Sequence, residues 1–428
     1  MQILIHPAPE TWETLAERNV PGDAVIAERV AEIVSTVRGD GDAALYHYAA
    51  LFDNARLDSL EVSAAEIAAA EALVSDEVKC AIRRAAQNIE AFHSAQRSAE
   101  VDVCTVEGVR CVQRAVPIQR VGLYVPGGQA PLFSTVLMLA LPARIAGCKE
   151  VILCTPQNSS GRIAPEILYS ASLCGVHRIF RIGGAQAIAA MAYGTQSIPR
   201  VDKIFGPGNR YVTKAKQLVA DRVAIDMPAG PSEVLVMADD TAHLSFVAAD
   251  MLSQAEHGPD SQAILVCNTE EMAQQVKAEV ERQAALLKRA SSVEQSLAHS
   301  RIVVLGSRAD MIDFANVYAA EHLIISMAQP WDVAQQITAA GSIFIGNYSP
   351  ESAGDYASGT NHTLPTSGYA RAFSGVNLDS YIRKITYQEL TPEGLSALAP
   401  TIVAMADAEG LDAHAAAVKV RVEQLQKV

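Results

Sequence analysis

The stretch Arg120-Val-Gly-Leu-Tyr-Val-Pro-Gly-Gly-Gln-Ala-Pro-Leu-Phe-Ser-Thr-Val-Leu-Met-Leu-Ala-Leu-Pro-Ala-Arg-Ile-Ala-Gly-Cys148 decides the fold class. It begins with a run rich in β-formers, passes through a Pro- and Gly-containing turn, and continues into an apolar helical stretch at 134–147. The same order recurs downstream, with strand-like runs at 151–154, 178–182 and 203–205 and helical stretches at 163–175, 185–194 and 208–221. Strands that alternate with helices indicate βαβ units and predict a parallel sheet.

A second alternating series follows the first. Its strand-like runs lie at 263–266, 302–305, 323–325 and 343–345, and helical stretches at 243–257, 269–289, 308–319 and 331–340 separate them. Two series predict two related open sheets, with an active cleft between domains or at the carboxyl ends of the strands. The Gly- and Pro-rich segment 226–232 is a natural crossing point between the two sheets.

The regions outside the two series are predicted to be helical. Apolar residues recur at helical spacing within 24–100. The tail from residue 376 contains two amphipathic stretches, at 396–408 and 411–427. A short helical tail cannot form a core of its own, so we expect it to dock on the body of its own chain or on a second subunit.

Composition excludes several classes of protein. The chain has 428 residues and a net charge of −14, which is unfavourable for a nucleic-acid partner. The amino terminus does not resemble a signal peptide, and no apolar run is long enough to span a bilayer, so we expect a cytoplasmic protein. The seven cysteines are an odd number without a CxxC pair, which predicts thiols.

Two clusters of nitrogen and oxygen side chains suggest a metal site. Asp355 and His362 lie in the Gly- and Ser-rich segment 351–362, which we interpret as a loop. Gln254 and His257 lie three residues apart at the predicted end of a helix, where both face one side and could share a metal ion. An ordinary flexible loop and a polar helix terminus are the alternatives.

Two further clusters suggest acid–base chemistry and an additional ligand. Glu321 and His322 are adjacent at the entrance to an apolar run and could transfer protons, although a solvated loop pair is the alternative. Glu409 and His414 lie in the helical tail, where a histidine taken alone is a surface residue. Four such clusters in one chain favour a metal enzyme.

Three glycine-containing turns each follow a strand and precede a helix. They lie at 121–128, at 182–186 and at 205–209. Backbone N–H groups at helix amino termini favour phosphate binding, but none of the turns matches GxGxxG. A dinucleotide bound in a different way and purely structural turns both remain open.

Taken together, these segments resemble the histidinol dehydrogenase family over nearly the whole chain. The resemblance is carried by the strings RVGLYVPGG, APLFSTVLMLALPARIAGC, GGAQAIAAMAYGT, VDKIFGPGN, IDMPAGPSEVLV, LSQAEHGPDSQ, EHLII and SPESAGDYASGTNHTLPT. It implies a two-step, four-electron oxidation of L-histidinol through L-histidinaldehyde to L-histidine, the last step of histidine biosynthesis. Two NAD and one Zn²⁺ per active site would take part.

The resemblance also implies residue roles. The implied zinc ligands are Gln254, His257, Asp355 and His414. Glu321 and His322 match the family's acid–base pair. The implied substrate contacts are Ser232, His362 and Glu409, together with His322 and the zinc ligands. The implied NAD contacts are Tyr124, Gln186 and Asn209.

The implied architecture is α/β, with two incomplete Rossmann-like open sheets resembling those of aldehyde dehydrogenases. We expect an arm at 1–23, a first domain at 24–123 and 233–375, a second, NAD-binding domain at 124–232, and a dimerisation tail at 376–428. In the implied homodimer the tails are exchanged, so Glu409 and His414 would serve the partner's site.

One departure and two alternatives accompany the resemblance. The family usually has proline immediately before the Glu-His pair, whereas this chain has Ala320, which would make the pair more mobile. A related zinc- and NAD-dependent dehydrogenase of another amino or sulfonated alcohol is one alternative. A zinc-dependent hydrolase is the other, although it would not need the three NAD contacts. We expect no covalent intermediate on a cysteine.

Overall fold

The computed structural model describes residues 1–18, 23–127, 131–158, 160–288 and 290–427. They divide into two compact units. The first unit contains residues 1–96 and 118–381, and the second contains residues 97–117 and 382–428. No helix among these residues combines the length and apolar character needed to cross a membrane.

The elements follow one another along the chain in two sets. The strands are β1 (Gln2–Ile5), β2 (Val101–Val106), β3 (Val109–Pro117), β4 (Arg120–Tyr124), β5 (Glu150–Thr155), β6 (Arg178–Arg181), β7 (Lys203–Phe205), β8 (Ala224–Ile225), β9 (Glu233–Ala238), β10 (Gln262–Cys267), β11 (Arg301–Val304), β12 (His322–Ser326), β13 (Ser342–Ile345) and β14 (Ile382–Leu390). The helices are α1 (Trp12–Ala16), α2 (Asp23–Asp40), α3 (Asp42–Phe52), α4 (Ala64–Leu73), α5 (Asp76–Ser94), α6 (Phe133–Ala146), α7 (Pro165–Leu173), α8 (Gly184–Tyr193), α9 (Arg210–Leu218), α10 (Leu244–Ala255), α11 (Glu270–Ala284), α12 (Ala290–His299), α13 (Arg308–Tyr318), α14 (Pro330–Ala334), α15 (Glu351–Tyr356), α16 (Pro392–Ala408) and α17 (Asp412–Leu425).

One parallel sheet has six strands in the order β1-β11-β10-β9-β12-β13. Its central strands β9 and β10 are buried at every residue, as expected for a sheet covered on both faces. The predicted strands of the second series are confirmed as β10 to β13. The sheet also contains β9 at its centre and β1 at its edge, which the sequence patterns do not predict.

The other parallel sheet has five strands in the order β6-β5-β4-β7-β8. The four predicted strands of the first series are confirmed as β4 to β7, and β8 is an added two-residue strand. The helices predicted within 24–100 are also confirmed, as α2 to α5. They pack on the helices of this sheet, with α2 against α8 and α9, α4 against α7, and α5 against α6.

The resemblance implies that residues 24–123 form one domain with 233–375, which would place these helices with the other sheet. Their side chains share continuous apolar clusters with the β4–β7 sheet, including Ile89 and Leu123 in one cluster and Leu45 and Ile188 in another. The N-terminal helices therefore cover the sheet that follows them in sequence. The domain boundaries as such remain a prediction.

The second unit combines a three-stranded antiparallel sheet, in the order β14-β3-β2, with the paired helices α16 and α17. The two helices were predicted in the tail, but the sheet was not. Every residue of β2 is exposed, and so is every residue of β14 after Ile382. Strands without a buried face lack the apolar alternation by which a strand is recognised in a sequence.

All seven cysteines are free thiols, as predicted. Cys154, Cys174 and Cys267 are buried, and Cys148 is partly buried against the apolar core. Each therefore serves as a small apolar side chain.

A glycine allows the turn after β7 to approach β4 closely. Gly206 has a φ of +129°, and a Cβ atom there would overlap the carbonyl oxygen of Tyr124. The approach matters because Tyr124 is the last residue of β4, at the edge of the sheet where the predicted NAD contacts lie.

We predict that Gly206→Ala destabilises the protein by roughly 2–4 kcal/mol, because it adds both backbone strain and an overlap with rigid backbone. Chemical denaturation would measure the loss. Gly39→Ala is the matched control: Gly39 lies within α2 with no atom near its missing Cβ, so alanine should stabilise the helix by up to about 1 kcal/mol. Equal stability of the two variants would contradict the prediction.

Candidate active site

The acid–base cluster lies where strands β9 and β12 begin. His322 is the first residue of β12 and Glu321 immediately precedes it, and Glu233 is the first residue of the neighbouring β9. The sequence predicts a cleft between domains or at the carboxyl ends of strands, and this cluster is instead at the amino-terminal edge of its sheet, which differs from the second of these alternatives. The helix α10 returns from β9 to the same edge and ends there at Ala255, which brings Gln254 to the cluster.

Glu233 and Glu321 bind each other's backbone. The Glu233 N–H donates to Oε2 of Glu321 at 2.9 Å, and the Glu321 N–H donates to Oε1 of Glu233 at 3.3 Å. Both side chains are buried. Burial raises the pKa of Glu321 well above its ordinary value, which makes its carboxylate a stronger base than an exposed one.

His322 is held with one ring nitrogen free. Its Nδ1 lies 3.3 Å from the carbonyl oxygen of Glu233, which accepts a hydrogen bond and so places the ring proton on Nδ1. Nε2 is buried and has no hydrogen-bond partner; its distance to Oδ1 of Asp355 is 3.7 Å. Burial lowers the pKa of His322 to about 3, so the ring is neutral and Nε2 can accept a proton.

A candidate metal-binding group lies beside this pair. His257, Glu351 and Asp355 each offer a ligand atom, and these atoms lie within 4.8 Å of one another. Glu351 and Asp355 are one turn apart on α15, so their carboxylates lie on the same face of the helix. The segment 351–362 was expected to be a loop, and that expectation is wrong for its first half, which forms this short helix.

Gln254 is tied to the group through Glu351. With its amide oriented to suit its neighbours, the Gln254 nitrogen donates to Oε1 of Glu351 at 2.9 Å and to the carbonyl oxygen of Glu233 at 3.3 Å. This orientation leaves the amide oxygen available as an uncharged ligand atom for a metal ion. Oε2 of Glu351 is buried and unpartnered.

The electrostatics of the group suit a divalent cation. Burial raises the pKa of Glu351 well above its ordinary value, and repulsion by Asp355, Glu321 and Asp250 adds to this effect. Burial likewise raises the pKa of Asp355 to about 6. A cation would reverse these shifts by neutralising the carboxylates, and imidazole with carboxylate and amide oxygens is a donor set that fits Zn²⁺. The residues present therefore fit the implied metal.

His362 faces the same region from the loop that follows α15. Its Nδ1 lies 2.9 Å from the carbonyl oxygen of Asp355, and its Nε2 lies 3.0 Å from Oγ1 of Thr135 on α6. The carbonyl again fixes the ring proton on Nδ1, so the Thr135 hydroxyl donates to Nε2. Burial lowers the pKa of His362 to about 4.

The predicted NAD contacts lie together at the carboxyl-terminal edge of the β4–β7 sheet. Tyr124 ends β4, and its hydroxyl accepts a hydrogen bond from the Gly184 N–H at 3.2 Å. Gln186 is buried in the first turn of α8, which follows β6. Asn209 follows β7 and caps α9, its side-chain oxygen accepting from the N–H groups of Tyr211 and Val212. The first turn, predicted at 121–128, ends outside the described residues.

The remaining predicted residues have simpler positions. Ser232 immediately precedes β9, and its carbonyl accepts from the Gln262 N–H. Glu409 is the C-cap residue of α16, and His414 lies in the first turn of α17. Both side chains are exposed and belong to the second unit.

Sequence reasoning missed Glu233, Glu351 and Thr135. The spacing of Glu351 and Asp355 was a usable signal, because residues four apart share a face once the segment is helical. Glu233 and Thr135 gave no such signal, since their partners are distant in sequence.

Comparison with known proteins agrees with the resemblance. The family described as "Histidinol dehydrogenase" matches residues 16–422. The chain is 56% identical to histidinol dehydrogenase of Bacteroides fragilis over 428 residues, covering 100% of both chains. It is 53% identical to that of Escherichia coli, covering 100% of this chain and 95% of the relative.

Solved structures give the same result. The crystal structure of histidinol dehydrogenase from Elizabethkingia anophelis has a TM-score of 0.96 at 52% identity and covers 100% of this chain and 99% of that one. A betaine aldehyde dehydrogenase from Staphylococcus aureus has a TM-score of 0.50 at 11% identity, covering 89% of this chain and 86% of that one, which is a likeness of fold alone.

We predict that Glu351→Gln raises the melting temperature of metal-stripped protein, because one of several mutually repelling buried carboxylates is removed. The increase in melting temperature on adding Zn²⁺ should become smaller than in the wild type. Asp250→Asn is the matched control: Asp250 is a neighbouring carboxylate whose pKa burial raises to about 7, and it lies outside the metal-binding group. Asp250→Asn should also raise the melting temperature of the metal-stripped protein, but it should leave the increase on adding Zn²⁺ unchanged. An unchanged zinc effect in Glu351→Gln would contradict the prediction.

Proposed function

The chain belongs to the histidinol dehydrogenase family, and we propose that it oxidises L-histidinol through L-histidinaldehyde to L-histidine with two NAD as hydride acceptors. The observation that carries this proposal is the buried Glu321-His322 pair directly beside the group formed by His257, Glu351 and Asp355. This arrangement combines a base, a second base for water, and a place for a cation. The reaction would be the last step of histidine biosynthesis.

We propose that Gln254, His257 and Asp355 hold one Zn²⁺ together with His414 of the partner subunit. Glu351 lies among these ligand atoms and fixes the Gln254 amide. When bound, Zn²⁺ would hold the imidazole nitrogen and amine of the substrate, which fixes its carbinol carbon. The donor set and the unpartnered oxygen of Glu351 support this assignment.

His322 and Glu321 divide the proton transfers between them. Nε2 of His322 takes the alcohol proton as the hydride leaves for NAD, and the Glu233 carbonyl stabilises the resulting imidazolium through Nδ1. Glu321 takes a proton from the water that attacks the aldehyde. Its raised pKa suits this task, because a carboxylate of ordinary pKa is a weaker base.

The remaining contacts are proposed from the family's motifs. Tyr124, Gln186 and Asn209 would contact NAD, and their grouping at the carboxyl ends of parallel strands supports this. Ser232, His362 and the partner subunit's Glu409 would contact the substrate. Asn209 uses its side-chain oxygen as a helix cap, which leaves its amide nitrogen for the cofactor.

The thiols of the first unit's core support a route without a cysteine nucleophile. Burial raises the pKa of Cys148, Cys174 and Cys267 to about 12, so each stays protonated at neutral pH. We therefore propose that the fold is aldehyde-dehydrogenase-like but that aldehyde oxidation uses water activated by Glu321 and no thiohemiacetal.

We also propose a cytoplasmic homodimer in which the tails are exchanged. The second unit exposes Val101, Val103, Tyr387 and Met405, an amount of apolar surface that favours a protein partner. Glu409 and His414 are exposed as well, as residues that complete a partner's site must be in the separate subunit.

The decisive experiment measures NADH formation with L-histidinol. Two NADH should form for each histidinol consumed, and L-histidine should accumulate. Other amino alcohols and sulfonated alcohols should react much more slowly. Rapid turnover of one of these without turnover of histidinol would replace the proposed substrate, and hydrolysis without NADH formation would indicate a hydrolase.

We predict that substitution of Glu321 and substitution of His322 impair different half-reactions. Glu321→Gln should lower the rate of histidinaldehyde oxidation more than that of histidinol oxidation, because only the aldehyde step needs activated water. His322→Asn should lower the alcohol step. Losses on the order of 100-fold are expected for each affected step. Stopped-flow assays of the separate half-reactions would measure them, and equal losses in both steps for both variants would refute the assignment.

We predict that His414→Ala and His257→Ala complement each other in a mixed dimer. With exchanged tails, one site of the heterodimer carries both lesions and the other carries neither, so activity should return to about half per heterodimer. Each parent homodimer should be inactive but dimeric, as judged by light scattering. Heterodimers that form and remain inactive would show that His414 acts within its own chain.

A further inference from the structure

The N-terminal arm supplies a partly buried cation behind the acid–base pair. Arg18 donates to both carboxylate oxygens of Glu233, from Nε at 2.8 Å and from Nη2 at 2.6 Å. The same guanidinium donates to the carbonyl oxygens of Ala16 and Tyr318 and lies 3.7 Å above the ring of Tyr318. It is thus held on every side by groups it can bind.

Glu233 connects this cation to both members of the pair. Its carboxylate accepts from the Glu321 N–H, its own N–H donates to the Glu321 carboxylate, and its carbonyl accepts from His322. Glu233 itself is 1% exposed, so its charge has no contact with solvent.

We propose that Arg18 and Glu233 are positioning residues for the acid–base pair, with Arg18 fixing the orientation of the Glu233 carboxylate through two hydrogen bonds. This inference rests on the proposed function. Neither residue touches the substrate; each acts through Glu321 and His322. A carboxylate held by both donors of the guanidinium keeps one oxygen directed at the Glu321 N–H, whereas a carboxylate without that partner is free to turn away and release it.

The segment before the acid–base pair shows why this support by Arg18 and Glu233 is needed. Ala319 adopts a left-handed backbone with a φ of 52°, which is costly for a residue with a side chain. Arg18 binds the Tyr318 carbonyl on one side of Ala319, and Glu233 binds the Glu321 N–H on the other. Ala320, where the family usually has proline, is buried, and its carbonyl accepts from the Gly341 N–H. Arg18 and Glu233 therefore supply the rigidity that proline at position 320 would otherwise add.

The test compares Arg18→Met with Arg18→Lys and Arg301→Met. Arg18→Met should lower histidinaldehyde oxidation on the order of ten- to a hundredfold, through misplacement of Glu321, and lower histidinol oxidation less. Arg18→Lys keeps the charge without the fork and should lie between Arg18→Met and the wild type. Arg301→Met is the matched control, because Arg301 also anchors the arm, through the Leu15 carbonyl, without touching Glu233. It should leave the ratio of the half-reactions unchanged.

A second variant keeps the inference testable if Arg18→Met folds poorly. Arg18→Met/Glu233→Gln replaces the carboxylate that Arg18→Met leaves without its arginine and retains an amide oxygen for the Glu321 N–H, so it should recover aldehyde oxidation several-fold relative to Arg18→Met alone. Equal losses in both half-reactions, or a double variant that folds but recovers nothing, would overturn the inference. If the wild type itself fails to oxidise histidinaldehyde with NAD, the proposed function fails instead.

Discussion

The reciprocal pairing of Glu233 and Glu321 is the interaction on which the rest of the site depends. Glu233 begins β9, Glu321 immediately precedes the adjacent parallel strand β12, and each binds the backbone N–H of the other. The exchange fixes the entrances to β9 and β12, and with them the direction of the His322 ring. A sheet is a rigid support, so a base mounted on its edge keeps its position better than one carried on a loop.

This arrangement concentrates negative charge in a buried volume. Burial raises the pKa of Glu351, and repulsion by Asp355, Glu321 and Asp250 raises it further. Glu233, by contrast, has an arginine beside it. Folding such a group without a cation is unfavourable, because the carboxylates must either protonate or repel. A divalent ion bound here, as proposed, would relieve this repulsion and would couple metal affinity to fold stability.

Part of this structure could be predicted from the sequence, and there are physical reasons why the rest could not. The strands β10 to β13 were predicted because each is an apolar run between amphipathic helices, whereas β14 and β2 lack a buried face and so have no apolar periodicity. Gln254, His257 and the Glu-His pair were found because the side chains of each pair are neighbours in sequence. Arg18 and Glu233 are 215 residues apart, and no local pattern records a contact of that range.

The second unit is assembled from two segments that more than half of the chain separates, since β3 pairs with β14 from Ile382↔Pro117 to Leu390↔Val109. During synthesis, the β2–β3 hairpin leaves the ribosome long before its third strand exists. Two strands alone are marginally stable, and Val101, Val103 and Val106 are exposed on the edge strand. The hairpin therefore has an unpaired strand edge while both parallel sheets fold. Unpaired strand edges promote aggregation, so the nascent chain is most exposed to aggregation in this interval.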